Sequence, residues 1–206
     1  MLMCFELAKA NGQDVTADSQ ALCNMVERFD SFMNVQNNVI GRVLEHLGTD
    51  MSYVALLARG PSFATAYLGS VLIKEIVNIN AEPIPQGEFR HGPIESVNPD
   101  YRALMFAPMG RTFDLNITLA KEMCQYGAKM VLITDAIAEQ LGQVPSGLFL
   151  APLDAGNEFL SPLQEIIFID YFCCRLAESK SLPVGAFRQF HKVTDNEDGL
   201  AASVLK

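Results

Sequence analysis

From about residue 51 the chain repeats one pattern, a short apolar run followed by a turn and a helical stretch. The runs are "YVALLA" (53–58), "RALMFAP" (102–108), "KMVLIT" (129–134) and "GLFLAP" (147–152). Each is too short for a buried helix and too evenly apolar for a strand with one wet face, so each reads as a strand covered on both sides. Helical stretches lie between them, after "RGP" at 59–61, near 112–126, briefly between 134 and 147, and from about 160 to 179. This alternation predicts an α/β chain: a three-layer α/β/α sandwich with a parallel, doubly wound sheet, right-handed crossovers and a ligand crevice at the carboxyl ends of the strands. The pattern also leaves room for a short strand near Glu82.

Ahead of this pattern stands a helical preface, residues 1–48. "LMCFELAKA" (2–10) is helical in composition but starts with no cap, as a segment cut from inside a longer helix would. The expectation is therefore that the chain is a fragment. After the polar break "NGQDVTADS", Asp18 or Ser19 is placed to cap a helix through "QALCNMVERFDSFM", and a further helix through "NVQNNVIGRVLEHLG" stops at Gly48. The expected division is preface 1–48, main domain 49–182 and a polar tail 183–206. The preface has more apolar faces than one side of a sheet can cover, which predicts self-association, most simply as a homodimer.

Composition narrows the function. With 206 residues, half of them hydrophobic, the chain can bury one large core, while its longest apolar runs fall well short of the roughly 20 residues of a membrane helix. A net charge of −9 without any Lys/Arg run argues against nucleic acid as a partner. A small anion remains open, because backbone N–H groups at a helix start can meet its charge locally. Five cysteines without a CxxC pair, and three widely spaced histidines, indicate neither a disulfide framework nor a metal site. The apolar pair Cys173-Cys174 and the absence of a basic leader point to a reducing compartment, the cytoplasm, and no cofactor is implied.

Three stretches are candidates for chemistry. In "ARGPSFATA" (58–66) Gly60 permits a sharp turn, Pro61 suits a first helical turn, and Ser62 and Thr65 can offer hydroxyls beside free N–H groups. That outlines an anion cradle, though an ordinary strand-to-helix turn has the same residues. Glu75 in "GSVLIKE" has Val71, Leu72 and Ile79 a turn away on its side, so it is either a boundary residue or a half-buried carboxylate. A half-buried carboxylate can act as a base, since burial raises its pKa. "QGEFRHGP" (86–93) crowds Glu88, Arg90 and His91 between glycines, as a turn or as a site.

Taken together, "ARGPSFATAYLGSVLIKEIVNINAEPIPQGEFRHGP" resembles the core of the sugar isomerase (SIS) domain family, in particular the second SIS domain of two-domain proteins related to the isomerase part of glucosamine-fructose-6-phosphate aminotransferase. The resemblance rests on the glycine turn, "KE" on the next helix, "AE", then "GE" before a basic-His-Gly-Pro run. It implies that Glu75 shuttles a proton between C1 and C2 of an open-chain sugar. It implies equally that His91 assists ring opening, often from the partner subunit, and that Lys192 in "FHKVT" closes over the sugar. Arg59, Gly60, Ser62, Thr65 and Glu88 are the expected substrate-binding residues. Leu68 and Leu72 stand where the aminotransferase has a glutamate and a lysine, and no glutaminase module is present, so the chain is not that synthase. Its "KVT" tail is similar to that of SIS proteins that release ammonia or an amino acid. The expected ligand is a phosphorylated sugar or amino sugar, handled by an isomerase or deaminase. The rival reading is a non-catalytic, regulatory sugar-phosphate-binding module.

Overall fold

A computed structural model describes residues 2–185. The elements in chain order are α1 (Leu2–Ala10), α2 (Thr16–Glu27), α3 (Phe29–Leu47), β1 (Tyr53–Ala58) and α4 (Ser62–Leu72), the last continued by a single π-helical turn, Ile73–Val77. There follow β2 (Asn80–Pro85), α5 (Gln86–Phe89), a 3-10 turn (Pro93–Ser96), β3 (Arg102–Phe106), α6 (Phe113–Gln125), β4 (Lys129–Thr134), α7 (Ala138–Leu141), β5 (Leu148–Pro152) and α8 (Ser161–Ser179).

The five strands form one sheet in the order β2-β1-β3-β4-β5, and every pairing is parallel. Alternate residues of each strand enter two separate cores. Val54, Leu56, Leu104, Phe106, Val131 and Ile133 face α3, α4 and α8, whereas Ala55, Leu57, Ala103, Met105, Met130 and Leu132 face α6. Both faces being covered is why these strands read as unbroken apolar runs. The expected three-layer, doubly wound arrangement is therefore present, and the order reverses between β1 and β3, where folds of this kind leave a crevice.

Two local expectations are corrected. The helix expected to run unbroken through "QALCNMVERFDSFM" is interrupted at Arg28, whose backbone (φ −96°, ψ 4°) separates α2 from α3 and whose side chain is drawn to Asp154 at 2.7 Å. Likewise α2 begins earlier than Asp18 or Ser19: Asp14 accepts a hydrogen bond from the Thr16 N–H at 3.0 Å, ahead of the first turn. Gly48 ends α3 as expected, in a positive-φ conformation (82°) with its N–H bonded to the Leu44 carbonyl. Helix α3 packs on the sheet, its Ile40, Val43, Leu44 and Leu47 lying in the same core. Helix α1 buries nothing and leaves Leu2, Met3 and Leu7 exposed. Among the described residues no helix is long and apolar enough to cross a membrane.

Candidate functional site

The β1–α4 turn lies at the carboxyl end of the sheet. Gly60 holds a left-handed conformation (φ 57°) that other residues adopt at a cost, and this lets the chain reverse from strand to helix within three residues. Arg59 reaches sideways over the β2–α5 turn, where a side chain at Gly87 would come within 3.3 Å of its guanidinium. Ser62 and Thr65 are not at the surface. Ser62 is fully buried and its hydroxyl donates to Glu165 Oε1 at 2.7 Å. Thr65 is 3% exposed beside the same carboxyl. The hydrogen of Ser62 is thus committed inward, toward α8, in place of the open anion cradle that spacing alone suggested.

Glu165 is the residue that reading the sequence missed. Burial pushes its carboxyl up to about 7 from an ordinary 4.5; the Ser62 hydrogen bond and the nearby Thr65 hydroxyl oppose that rise, and the charge of Asp135 adds to it. The signal was available: Glu165 falls on the stripe Ser161, Gln164, Phe168, Ile169, Phe172 that α8 turns inward, so a helical period places a carboxyl in the core. The β3–α6 loop was missed too. The Met109 N–H donates to Asp135 Oδ1 at 2.6 Å, and Glu158 lies so close to Gly110 that a side chain there would collide with it. One carboxylate of this chain, Asp135, thus occupies the Met109 donor of that loop, and a second, Glu158, crowds Gly110.

The loop "QGEFRHGP" also begins at the carboxyl end of the sheet, following β2. Glu88 and His91 are exposed, and the His91 N–H closes a turn onto the Glu88 carbonyl at 2.9 Å. Arg90 forms an ion pair with Glu122 of α6, which ties the loop to the layer whose core also holds Phe89. Gln86, by contrast, is fully buried with both side-chain polar atoms unpartnered.

Glu75 lies elsewhere. Helix α4 and its π turn run antiparallel to the strands, so Glu75 comes about 20 Å from Ser62 along the helix axis, at the amino end of the sheet. It is half-buried, and the turn that carries it ends at Asn78 in a left-handed conformation (φ 60°). Single π turns inside helices recur at functional sites, because the inserted residue displaces a side chain from the regular helical face. Leu68 is exposed and Leu72 half-buried on the same side of α4 as Glu75. Ile73 and Val77, which flank Glu75, enter the core shared by α3, α4 and α8, whereas Phe89, two residues before His91, enters the core on the α6 side and packs against Tyr101. Within one copy of the chain Glu75 and His91 thus flank opposite faces of the sheet. Lys192 lies outside the described residues. No group of three or more His, Cys, Asp or Glu side chains among the described residues could hold a metal ion.

Residues 50–145 match the SIS domain family. The glutamine-fructose-6-phosphate aminotransferase of Rhizobium leguminosarum is 30% identical over 141 residues, 67% of this chain and 23% of that protein. Among solved structures, the C-terminal domain of glucosamine-fructose-6-phosphate aminotransferase from Francisella tularensis superposes with a TM-score of 0.68 at 24% identity, covering 78% of this chain and 45% of that one. Glucosamine-6-phosphate deaminase from Thermotoga maritima gives a TM-score of 0.61 at 17% identity, covering 91% and 53%. At these identities the two structures speak to the fold. The chain spans less than a quarter of the length of that curated relative.

Proposed function

Because residues 50–145 match the SIS domain family, we propose that the chain handles a phosphorylated sugar as part of a phosphosugar isomerase or an amino-sugar-phosphate deaminase. The observation that carries this reading is Glu75, a half-buried carboxylate displaced from the regular helical face by a single π turn, without an ion pair or side-chain hydrogen bond among the described residues. Such a group is available to an incoming substrate. Its carboxylate removes the proton from C2 of an open-chain aldose as the C1 carbonyl oxygen takes up the electron pair and a proton, and the acid so formed returns its proton to C1 of the resulting enediol while the C2 hydroxyl gives up its own to become the ketone. With an amino sugar the intermediate is an enolamine, whose imine tautomer water hydrolyses to release ammonia.

His91 is assigned to ring opening, since an imidazole can both donate and accept a proton. The placement of Glu75 and His91 on opposite faces of the sheet supports a reading in which His91 comes from a second copy, in a homodimer whose sites each draw on both subunits. Lys192 is assigned to closing over the sugar. Arg59 and Gly60 remain the candidates for the substrate anion, with Glu88 beside them. Ser62 and Thr65 act through Glu165. No nucleic acid, membrane or cofactor enters this reading, and the reaction is placed in the cytoplasm.

The same placement supports one second reading, a sugar-phosphate-binding regulatory module, in which a single copy binds ligand without turning it over. Solvent-deuterium incorporation into fructose 6-phosphate and glucosamine 6-phosphate, followed by NMR, distinguishes the two. The enzyme reading expects exchange at the sugar carbons that Glu75→Gln abolishes while calorimetric binding survives. Binding without exchange in the unmodified protein, or unchanged exchange in the variant, would overturn it in favour of the module.

A further inference from the structure

Helix α8 carries a carboxyl that the chemistry above does not use. Glu165 is fully buried, receives the Ser62 hydroxyl at 2.7 Å on one oxygen and has no partner for the other. Its neighbours form successive rungs between α8 and α4. Ser62 and Thr65 meet Glu165, and one turn further on Gly69 lies so close to Ile169 and Leu56 that an added Cβ would stand 3.1 and 2.9 Å from them. Ile73 and Val77 of the π turn are buried in the same core. The helix is thus gripped from its first turn to the turn that carries Glu75, with no slack between.

We propose that Glu165 is a positioning residue: as a neutral acid it fastens α8 to the first turn of α4, and loss of its proton loosens α4 together with the π turn at its far end. An ionised Glu165 would keep one charged oxygen in the core without a donor, which is costly, whereas the acid leaves only a neutral group there. The groups that face it agree with this. From α4 they are Ser62 and Thr65, which do not ionise; from the end of β4 it is Asp135, whose charge favours the protonated form. Among the described residues no basic side chain pairs with it. The carboxyl is held near 7 against 4.5 ordinarily, so the closed form binds a proton that the opened form releases. The grip is therefore complete below about 4.5, weakens as pH rises, and levels off at its weakest above about 7. Its effect on chemistry rests on the reading of Glu75 as proton shuttle; the proton-linked hold on α4 does not.

The test needs no ligand. Amide hydrogen exchange of Ile73–Val77 in the intact chain, corrected for the intrinsic rate, is followed from pH 5 to pH 8 in the unmodified protein, in Glu165→Gln and in Ser62→Ala. The expected result is a loss of protection of roughly tenfold per pH unit between 5 and 7 in the unmodified protein, then a plateau. Glu165→Gln should show no such slope, because the amide still accepts from Ser62 and cannot ionise. Ser62→Ala, which removes a bond favouring the charged form, should move the plateau to higher pH. Protection independent of pH in the unmodified protein would overturn the proposal. So would a slope that persists in Glu165→Gln or, should that variant not fold, a plateau that Ser62→Ala leaves in place. Absence of fructose 6-phosphate binding in a chain that shows the slope would count against the proposed function alone.

Discussion

The two ends of α4 are built in opposite ways. At its start Ser62 and Thr65 are buried and answered by a carboxyl from α8, so the polar groups of the first turn are spoken for within the fold. At its end Glu75 stands half-exposed on a π turn with apolar neighbours and no internal ion pair among the described residues. A residue that a fold has satisfied contributes to stability, and one that it has left unanswered is free to meet something else. The contrast assigns stability to one end of the helix and chemistry to the other.

The largest expected effect lies at the buried end and depends on pH. Glu165 is protonated in the folded chain between pH 4.5 and about 7 and ionised in the unfolded one, so its contribution is present below 4.5 and lost as pH rises toward 7. Urea unfolding should show Glu165→Gln gaining on the unmodified protein by on the order of 3 kcal/mol across that interval. A constant difference between the two would break the contrast at its first term. Next comes Gly69→Val, which forces a branched side chain between Leu56 and Ile169 and should cost about 2–3 kcal/mol in the same experiment. An unchanged midpoint would mean that α4 is not gripped where the contacts indicate.

Smaller effects are expected away from the helix start. The Arg90–Glu122 pair is partly exposed, so Glu122→Gln should lower stability by only about 0.5 kcal/mol. Its use is to hold the loop of His91, and proteolysis should cut that loop faster in the variant. Glu75→Gln should be nearly neutral in unfolding, within about 0.5 kcal/mol, since Glu75 has no internal partner to lose. A marked destabilisation there would make Glu75 a structural residue.

The sheet was legible because β1, β3, β4 and β5 are covered on both faces and show it as apolar runs. Strand β2 was harder, with Pro83 and Pro85 and exposed Asn80 and Glu82, because it forms the sheet edge, where a missing N–H on the outer side costs nothing. The residues of the candidate site were legible by type and spacing, but their placement was not. That Glu75 and His91 fall on opposite faces of the sheet follows from Ile73 and Val77 entering one core and Phe89 the other. Glu165 could have been found from the inward stripe of α8; its pairing with Ser62, 103 positions away, could not.

The central claim is that Glu75 and His91 belong to one site but to different copies of the chain. Mixing measures it directly. Glu75→Gln and His91→Asn proteins, each deficient alone, are combined under conditions that exchange subunits, and solvent-deuterium incorporation into fructose 6-phosphate is followed. A heterodimer then holds one site with both substitutions and one with neither. The account predicts recovery toward roughly a quarter of the activity of the unmodified protein with free exchange of subunits. Activity that stays at the level of the separate variants would contradict it.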